Sequence, residues 1–566
     1  MHRGLTNKIS GRTAITLIAG CLSAAFASTS AFSADAPVTP PDRLAAIRTP
    51  AEAPTPRITG ARVYGARPGR PFFFHVPITG SRPIQLTASD LPAGLTLDPA
   101  TGIITGVVTD KGSYSVKLTA ANSAGQDTNT LTLTIGDTIC LTPPLGWNSW
   151  NFFAGNIDES KIRGAADAMV ATGLINHGWT YINMDDRWEG QRDPDGKIEA
   201  DAVKFPDVKK LSDYIHGLGL KFGIYSSPGP TTCARAVATY QHEDQDAQSY
   251  ADWGVDYVKY DWCSYGTIAA KRTLDEYSKL LSSDEASQYA QMTADLAKIP
   301  RRNRTPEQTT QFNDLTAKLK AITDKIDPDK RKVIDLLILQ EPYAKFRASL
   351  DKVNRDIVFS FCQYGMGNVS AWGAATGGNL WRTTGDITAT WRRIAEIGFA
   401  QDPLAQYASP GHWNDPDMLE VGNGKLTTDE NFTHMTLWCV LAAPLLIGCE
   451  MPKMDAFTVS LFSNDEVLAV DQDPLGKQGY RIKTDGQTEV WVKPLTGGAW
   501  AVALFNRGDQ PAAISATWAE LKLSAYPSIR DLWRQKNIDA SPDGISAQVN
   551  AHGAELYRVE AAGAAK

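Results

Sequence analysis

The segment YVKYDWC, residues 257–263, has the β-branched and aromatic character of a buried strand, yet it carries a lysine, an aspartate and a cysteine. Side chains alternate along a strand, so Lys259, Asp261 and Cys263 share one face while Val258, Tyr260 and Trp262 share the other. An ammonium beside a carboxylate favours its ionised form, the form an attacking group needs. Taken alone, Lys-x-Asp reads first as a buried structural ion pair. The ends of the other apolar runs change that balance, because they carry Trp147 and Trp150, Asp185 and Asp186, Tyr225, Gln363, and Arg382 with Asp386. Aromatic faces pack on the C–H faces of a polyhydroxylated ring, while carboxylates and a guanidinium bind its hydroxyls. The expected ligand is therefore a small carbohydrate. Two carboxylates flanking a bond are the chemistry of glycoside hydrolysis, one attacking the anomeric carbon and the other moving the proton.

These residues need a scaffold that gathers many strand ends. Between 138 and 475, eight candidate strands (PLGWNSW, YINMDDRW, LKFGIYSS, YVKYDWC, IVFSFCQYG, LWRTTGD, HWNDPDML and APLLIG) alternate with amphipathic segments such as KIRGAADAMVATGL and VKKLSDYIHGLG. Such repetition predicts a parallel sheet, and eight units predict a (β/α)₈ TIM barrel with its site at the carboxyl ends of the strands. A doubly wound sheet is the alternative, but no Gly-rich phosphate fingerprint follows the first strand. The interval 270–341 breaks the rhythm. Tyr289, Met292, Leu296 and Ile299 keep helical spacing, and Phe312, Leu315, Leu319, Ile322 and Ile326 a heptad-like one. With Thr305 as N-cap, Pro306 at N1 and Gln308 at N3 of the second helix, the interval predicts an antiparallel hairpin on the active face.

The flanks read differently. Residues 57–137 form short strand runs between turn residues, predicting a β-sandwich, and LPAGLTLDPATGIITG resembles the immunoglobulin-like module found beside bacterial extracellular enzymes. Residues 476–566 return to alternating strands and predict an antiparallel β-domain. Residues 1–33 have the basic start, apolar middle and small residues of a signal peptide, and 34–56 read as a Pro/Ala-rich linker. The mature chain is expected to be exported, periplasmic or secreted. Ile18-Ala19-Gly20-Cys21 also resembles a lipoprotein box, although the apolar run continues past Cys21. A net charge of −7 without a basic run argues against nucleic acid, and no other segment looks membrane-spanning. The remaining six cysteines show no C-x-x-C spacing and no cluster with histidine, so neither a metal nor another cofactor is expected. Association into a homo-oligomer stays open.

From about 140 onward the chain resembles the α-galactosidases (melibiases) of glycoside hydrolase family 27. The resemblance is carried by PPLGWNSWN, INMDDRW, FGIYSSPG with TCA following, ADWGVDYVKYDWC, WRTTGDI and WNDPDML. It implies that Asp261 is a retaining nucleophile and Asp386 its acid/base. It implies a galactose pocket of Trp150, Asp185, Asp186, Tyr225, Lys259, Cys263, Gln363 and Arg382, with the aspartate pair on the 4- and 6-hydroxyls and Asp415 and Asp417 supporting from behind. It also implies a disulfide between Cys233 and Cys263, tying the loops after the third and fourth strands in an oxidising compartment. One departure stands out: many relatives have Cys-Glu-Trp where this chain has Cys362-Gln363-Tyr364, at a position expected to face the sugar's 2-position. A β-L-arabinopyranosidase, an α-N-acetylgalactosaminidase and an inactive sugar-binding protein are the alternative readings.

Overall fold

The computed structural model describes residues 39–300, 303–523 and 528–560. The expected signal peptide with Cys21, the start of the linker and Arg301–Arg302 of the hairpin turn lie outside the described residues. All eight expected strands form: β1 (Leu145–Asn148), β2 (Tyr181–Asn183), β3 (Lys221–Ser226), β4 (Tyr257–Asp261), β5 (Val358–Cys362), β6 (Leu380–Arg382), β7 (Trp413–Asp415) and β8 (Leu445–Ile447). They pair in parallel in sequence order, and β8 pairs with β1. A bridge from Leu419, just past β7, to Ile447 closes the ring, with Leu419 N donating to Leu446 O at 2.8 Å. The fold is a (β/α)₈ barrel flanked by two β-domains.

Alternation along β4 is as the sequence requires. Val258 and Tyr260 face the core between strands and helices, where Tyr260 stacks on Phe346 at 4.4 Å. Tyr257 faces inward and joins Tyr181, Val358, Leu380, Trp413 and Leu446 in an apolar layer inside the barrel. Lys259 and Asp261 follow on that inward face, nearer the carboxyl end of the strand, so the barrel carries its charge above an apolar floor.

Around the strands run α1 (Glu159–Ala171), α2 (Val208–Gly217), α3 (Glu243–Trp253), α4 (Tyr265–Ser278), α5 (Ser283–Ala297), α6 (Pro306–Thr323), α7 (Pro328–Lys352), α8 (Trp391–Gly398) and α9 (Thr428–Val440). The expected hairpin is α5 with α6, and Thr305 and Gln308 form the reciprocal N-terminal cap of α6. It is not free-standing, however, because α4 and α7 extend into it. At 25 residues α7 is about 37 Å long. Its C-terminal half packs on the barrel through Leu339, Tyr343, Phe346 and Leu350, and its N-terminal half stands beyond the strand ends. Tyr277 of α4, Tyr289 of α5, and Leu319 and Ile322 of α6 close a separate small core with Ile326.

The N-terminal β-sandwich, with sheets of four and three strands between residues 63 and 135, docks on the opposite, N-terminal end of the barrel. Lys221, the first residue of β3, donates to Tyr64 Oη at 2.6 Å, and Arg67 pairs with Asp356 at 2.6 Å. Residues 39–56, expected as a linker, form a pinned strap instead. Arg43 pairs with Asp455 at 2.7 Å and Arg48 with Glu555 at 3.1 Å, charges that no local reading of the segment supplies. The C-terminal domain holds a six-stranded antiparallel sheet and a two-stranded one, and its Trp491 and Trp533 are wholly buried.

Candidate active site

Asp261 ends β4 with its carboxylate enclosed. Tyr225 of β3 donates to Oδ2 at 2.9 Å, and Tyr364, just past β5, donates to Oδ1 at 2.7 Å. Lys259 does not pair with Asp261. Its Nζ donates to Asp185 Oδ2 at 2.8 Å, an oxygen that also accepts from Asn148 at 2.8 Å. Lys259 thus acts on Asp261 through its charge, favouring the ionised form as expected, without a hydrogen bond to it. Burial pushes the Asp261 carboxyl up to about 6, opposed by the Lys259 charge and the two tyrosine hydrogen bonds and reinforced by repulsion from Asp386. The group is still mainly ionised at neutral pH.

The disulfide between Cys233 and Cys263 is present, with Cα atoms 4.9 Å apart, and it joins the loops after β3 and β4. It lies against the nucleophile candidate: Cys233 Sγ is 3.8 Å from Asp261 Oδ2, and Cys263 Sγ is 3.2 Å from Tyr225 Oη. These two sulfurs and the Asp261 carboxylate cluster closely enough to resemble a metal site, but the disulfide removes both thiolates as ligands.

Asp185 and Asp186 end β2 side by side, both 1% exposed. Asp186 accepts from Ala234 N at 2.8 Å through Oδ2, while its buried Oδ1 has no hydrogen-bond partner among the described residues. Burial raises this carboxyl to about 6. An enclosed acceptor without a donor is what a sugar hydroxyl would satisfy.

Across the barrel, Arg382 of β6 bridges two carboxylates through Nη2: Asp386 at 3.1 Å and Asp417 at 2.6 Å. The Arg382 and Asp417 side chains are each 5% exposed, whereas Asp386 is 45% exposed. Asp417 also accepts from Ile387 N at 2.8 Å, fixing the loop that carries Asp386, and its own amide donates to Asp415 at 2.8 Å. Asp415 and Asp417 thus lie behind the residues that face the barrel opening, where the resemblance implied them. Trp150 opens a single helical turn after β1, half-buried against the interior cluster that contains Met418. Trp147, by contrast, is wholly buried on the outer face of β1 and donates its indole N–H to Cys449 O.

Phe359 and Phe361 pack in the outer core and Val358 in the inner layer, so alternation turns Cys362 inward. Gln363 follows just past the strand's end and is 1% exposed. Its buried amide has no hydrogen-bond partner among the described residues. Its neighbours take the inward places: Cys362 is opposite Asp261 in the β4–β5 register, with Sγ 3.7 Å from Arg382 Nη1, and Tyr364 reaches Asp261. The sequence reading missed both, although counting the alternation from Lys259 across the pair would have found them. The remaining expected residues, Trp150, Asp185, Asp186, Tyr225, Lys259, Cys263, Arg382, Asp261 and Asp386, all lie at the carboxyl end of the barrel.

The family model described as alpha galactosidase A matches residues 142–287 and 311–473, the alpha galactosidase C-terminal beta sandwich model matches 485–559, and an Ig-domain model matches 55–136. Among curated proteins, alpha-galactosidase 2 of Arabidopsis thaliana is 39% identical over 74% of this chain and 89% of its own length. Alpha-galactosidase A of Cellvibrio japonicus is 36% identical over 67% of this chain and 79% of its own. A Bacteroides fragilis crystal structure assigned as an alpha-galactosidase/melibiase superposes with a TM-score of 0.74 at 33% identity, covering 89% of this chain and 98% of that one. The first match skips residues 288–310, most of α5 and the start of α6. Barrel, C-terminal sandwich and the ring of carboxylates together place this chain in the α-galactosidase (melibiase) family of glycoside hydrolases.

Proposed function

We propose that the protein releases terminal α-linked galactose with net retention, Asp261 acting as nucleophile and Asp386 as acid/base. The observation that carries this is the contrast between the two carboxylates. Asp261 is buried with each oxygen held by a phenol, whereas Asp386 is nearly half exposed and held on one side by Arg382. In the first step an oxygen of Asp261 bonds the anomeric carbon as the glycosidic C–O bond breaks, and Asp386 gives its proton to the departing oxygen. In the second step Asp386 takes a proton from water, the hydroxyl bonds the anomeric carbon, and Asp261 regains its electron pair. Asp186 Oδ1 and Lys259 supply an acceptor and a donor for ring hydroxyls.

NMR of the first-formed sugar tests the mechanism: α-galactose is expected before mutarotation, and β-galactose would refute the assignment of Asp261. A panel of nitrophenyl glycosides tests the substrate, with α-galactoside cleavage expected to exceed β-L-arabinopyranoside and α-N-acetylgalactosaminide cleavage. We further infer export from the cytoplasm. The Cys233–Cys263 disulfide supports this, since such bonds persist in oxidising compartments.

A further inference from the structure

We propose that Tyr364 is a positioning residue of the hydrolytic site, a second phenol that locks the Asp261 carboxylate for attack. The proposal rests on the reading of Asp261 as nucleophile. A carboxylate held on one oxygen can still swing about its Cβ–Cγ bond. With Tyr225 on Oδ2 at 2.9 Å and Tyr364 on Oδ1 at 2.7 Å, that rotation would break one bond or the other. Neither donor comes from β4, so β3 and β5 fix the nucleophile from both sides.

The backbone shows that the placement is built in. Tyr364 has φ 62, in the left-handed region that an aromatic residue rarely enters and that strains its backbone. The next residue, Gly365, has φ 81, and a Cβ there would run into the carbonyl oxygen of Thr383. Gly365 N donates to Arg382 O at 3.0 Å and Met366 N to Gln363 O at 3.2 Å, which hold the turn closed. What this strained turn delivers is a phenol on Asp261.

Chemically, the phenol stabilises Asp261 as a free carboxylate. That favours the ionised nucleophile before attack, and it favours departure of the carboxylate when water cleaves the galactosyl ester. The other titratable or charged groups that face Asp261 are Lys259 on its own strand, Tyr225 of β3, Cys362 of β5 and Asp386 beyond β6, with Arg382 pairing the last. Lys259 and Tyr225 share the phenol's direction and Asp386 opposes it, so removing the hydroxyl moves the balance toward the protonated acid.

The test is Tyr364→Phe, assayed on whichever glycoside the wild type turns over. The expected result is a roughly tenfold to hundredfold loss in kcat with KM little changed, the effect of one hydrogen bond to a charged group. The acid limb of the kcat/KM profile should move up by about one pH unit. Site-specific 3-fluorotyrosine at 364 keeps the ring and strengthens the donor, so the limb should move down. That second variant decides the matter if Tyr364→Phe does not fold. An acid limb unmoved in both overturns the proposal while leaving the nucleophile in place. An active Asp261→Ala variant overturns the proposal together with the reading beneath it. Failure on galactosides alone retires only the sugar.

Discussion

Replacing Asp417 by asparagine changes one charge behind the site with little change of shape. The residue sits at φ 87, a left-handed conformation that asparagine tolerates about as well as aspartate. The amide oxygen can still accept from Ile387 N, and the Asp417 carbonyl still accepts from Trp438. What disappears is the charge of the 2.6 Å pair with Arg382, both side chains 5% exposed, together with the bond from Met418 N to the other carboxylate oxygen, which an amide NH2 cannot accept. Breaking a buried pair costs about 3–5 kcal/mol, because the remaining charge stays in the protein without its partner. Arg382 keeps Asp386, which is 45% exposed, so the lower end, about 3 kcal/mol, is expected. Urea unfolding followed by tryptophan fluorescence should show that loss as a lowered midpoint at constant slope. Freed of Asp417, the guanidinium turns wholly to Asp386 and restrains proton delivery. The rate on an alkyl α-galactoside, which needs its leaving group protonated, should therefore fall more than the rate on a nitrophenyl galactoside. A variant with the wild-type midpoint and an unchanged ratio between the two substrates would refute the reasoning.

Other expectations follow from neighbouring features. His177, buried between Glu52 and Asp465, is raised to about 9 by its carboxylate partners despite burial, which opposes the shift. A raised histidine contributes stability that is complete below its ordinary value near 6.5 and lost as pH climbs through 9, up to about 3 kcal/mol by the size of the shift. Thermal unfolding from pH 6.5 to 9.5 should show this decline, and His177→Gln should flatten it. Alkylation without reduction should leave Cys233 and Cys263 unmodified by intact mass, and replacing both by serine should cost about 3–4 kcal/mol for a loop of 30 residues. Joining 274 to 339 through a short Gly/Ser link removes Tyr277, Tyr289, Leu319, Ile322 and Ile326 together and leaves Leu339, Tyr343 and Phe346 on the barrel. That deletion should stay folded and active on a small galactoside; an insoluble product would show that the hairpin packs elsewhere. Activity should be indifferent to EDTA, since the sulfurs beside Asp261 are tied up in the disulfide, and its loss on chelation would overturn the metal-free chemistry.

The barrel was legible because each strand is an apolar run ending in residues no core would choose, such as Asp185-Asp186 after Tyr181–Asn183. Alternation within one strand placed Lys259 and Asp261 together correctly. It did not say that Lys259 would reach across to Asp185, since such a partner is set by barrel curvature and not by spacing. The inward places of Cys362 and Tyr364 were missed for a related reason: the phase of β5 follows from its register with β4, where Cys362 meets Asp261, and a single strand read alone does not fix it. The upward shift of Asp261 was invisible because burial, the larger effect, depends on the whole enclosure whereas the lysine is two residues away. The strap at 39–56 has no periodicity to read, because its contacts are with partners hundreds of residues later.

Those contacts set an order of events. Arg48 is paired with Glu555, 507 positions downstream, and Arg43 with Asp455, 412 positions downstream of its own. A chain emerges from the ribosome at about 5–20 residues per second, so the strap waits roughly 25–100 s before its second partner exists. Barrel and sandwich each have a core of their own, whereas this seam joins nearly the first described residue to nearly the last. Contacts so remote in sequence form late, and interactions absent from the folding transition state act mainly by slowing unfolding. Replacing the two arginines near the start of the described chain is thereby expected to shorten the life of the finished molecule more than to slow its formation.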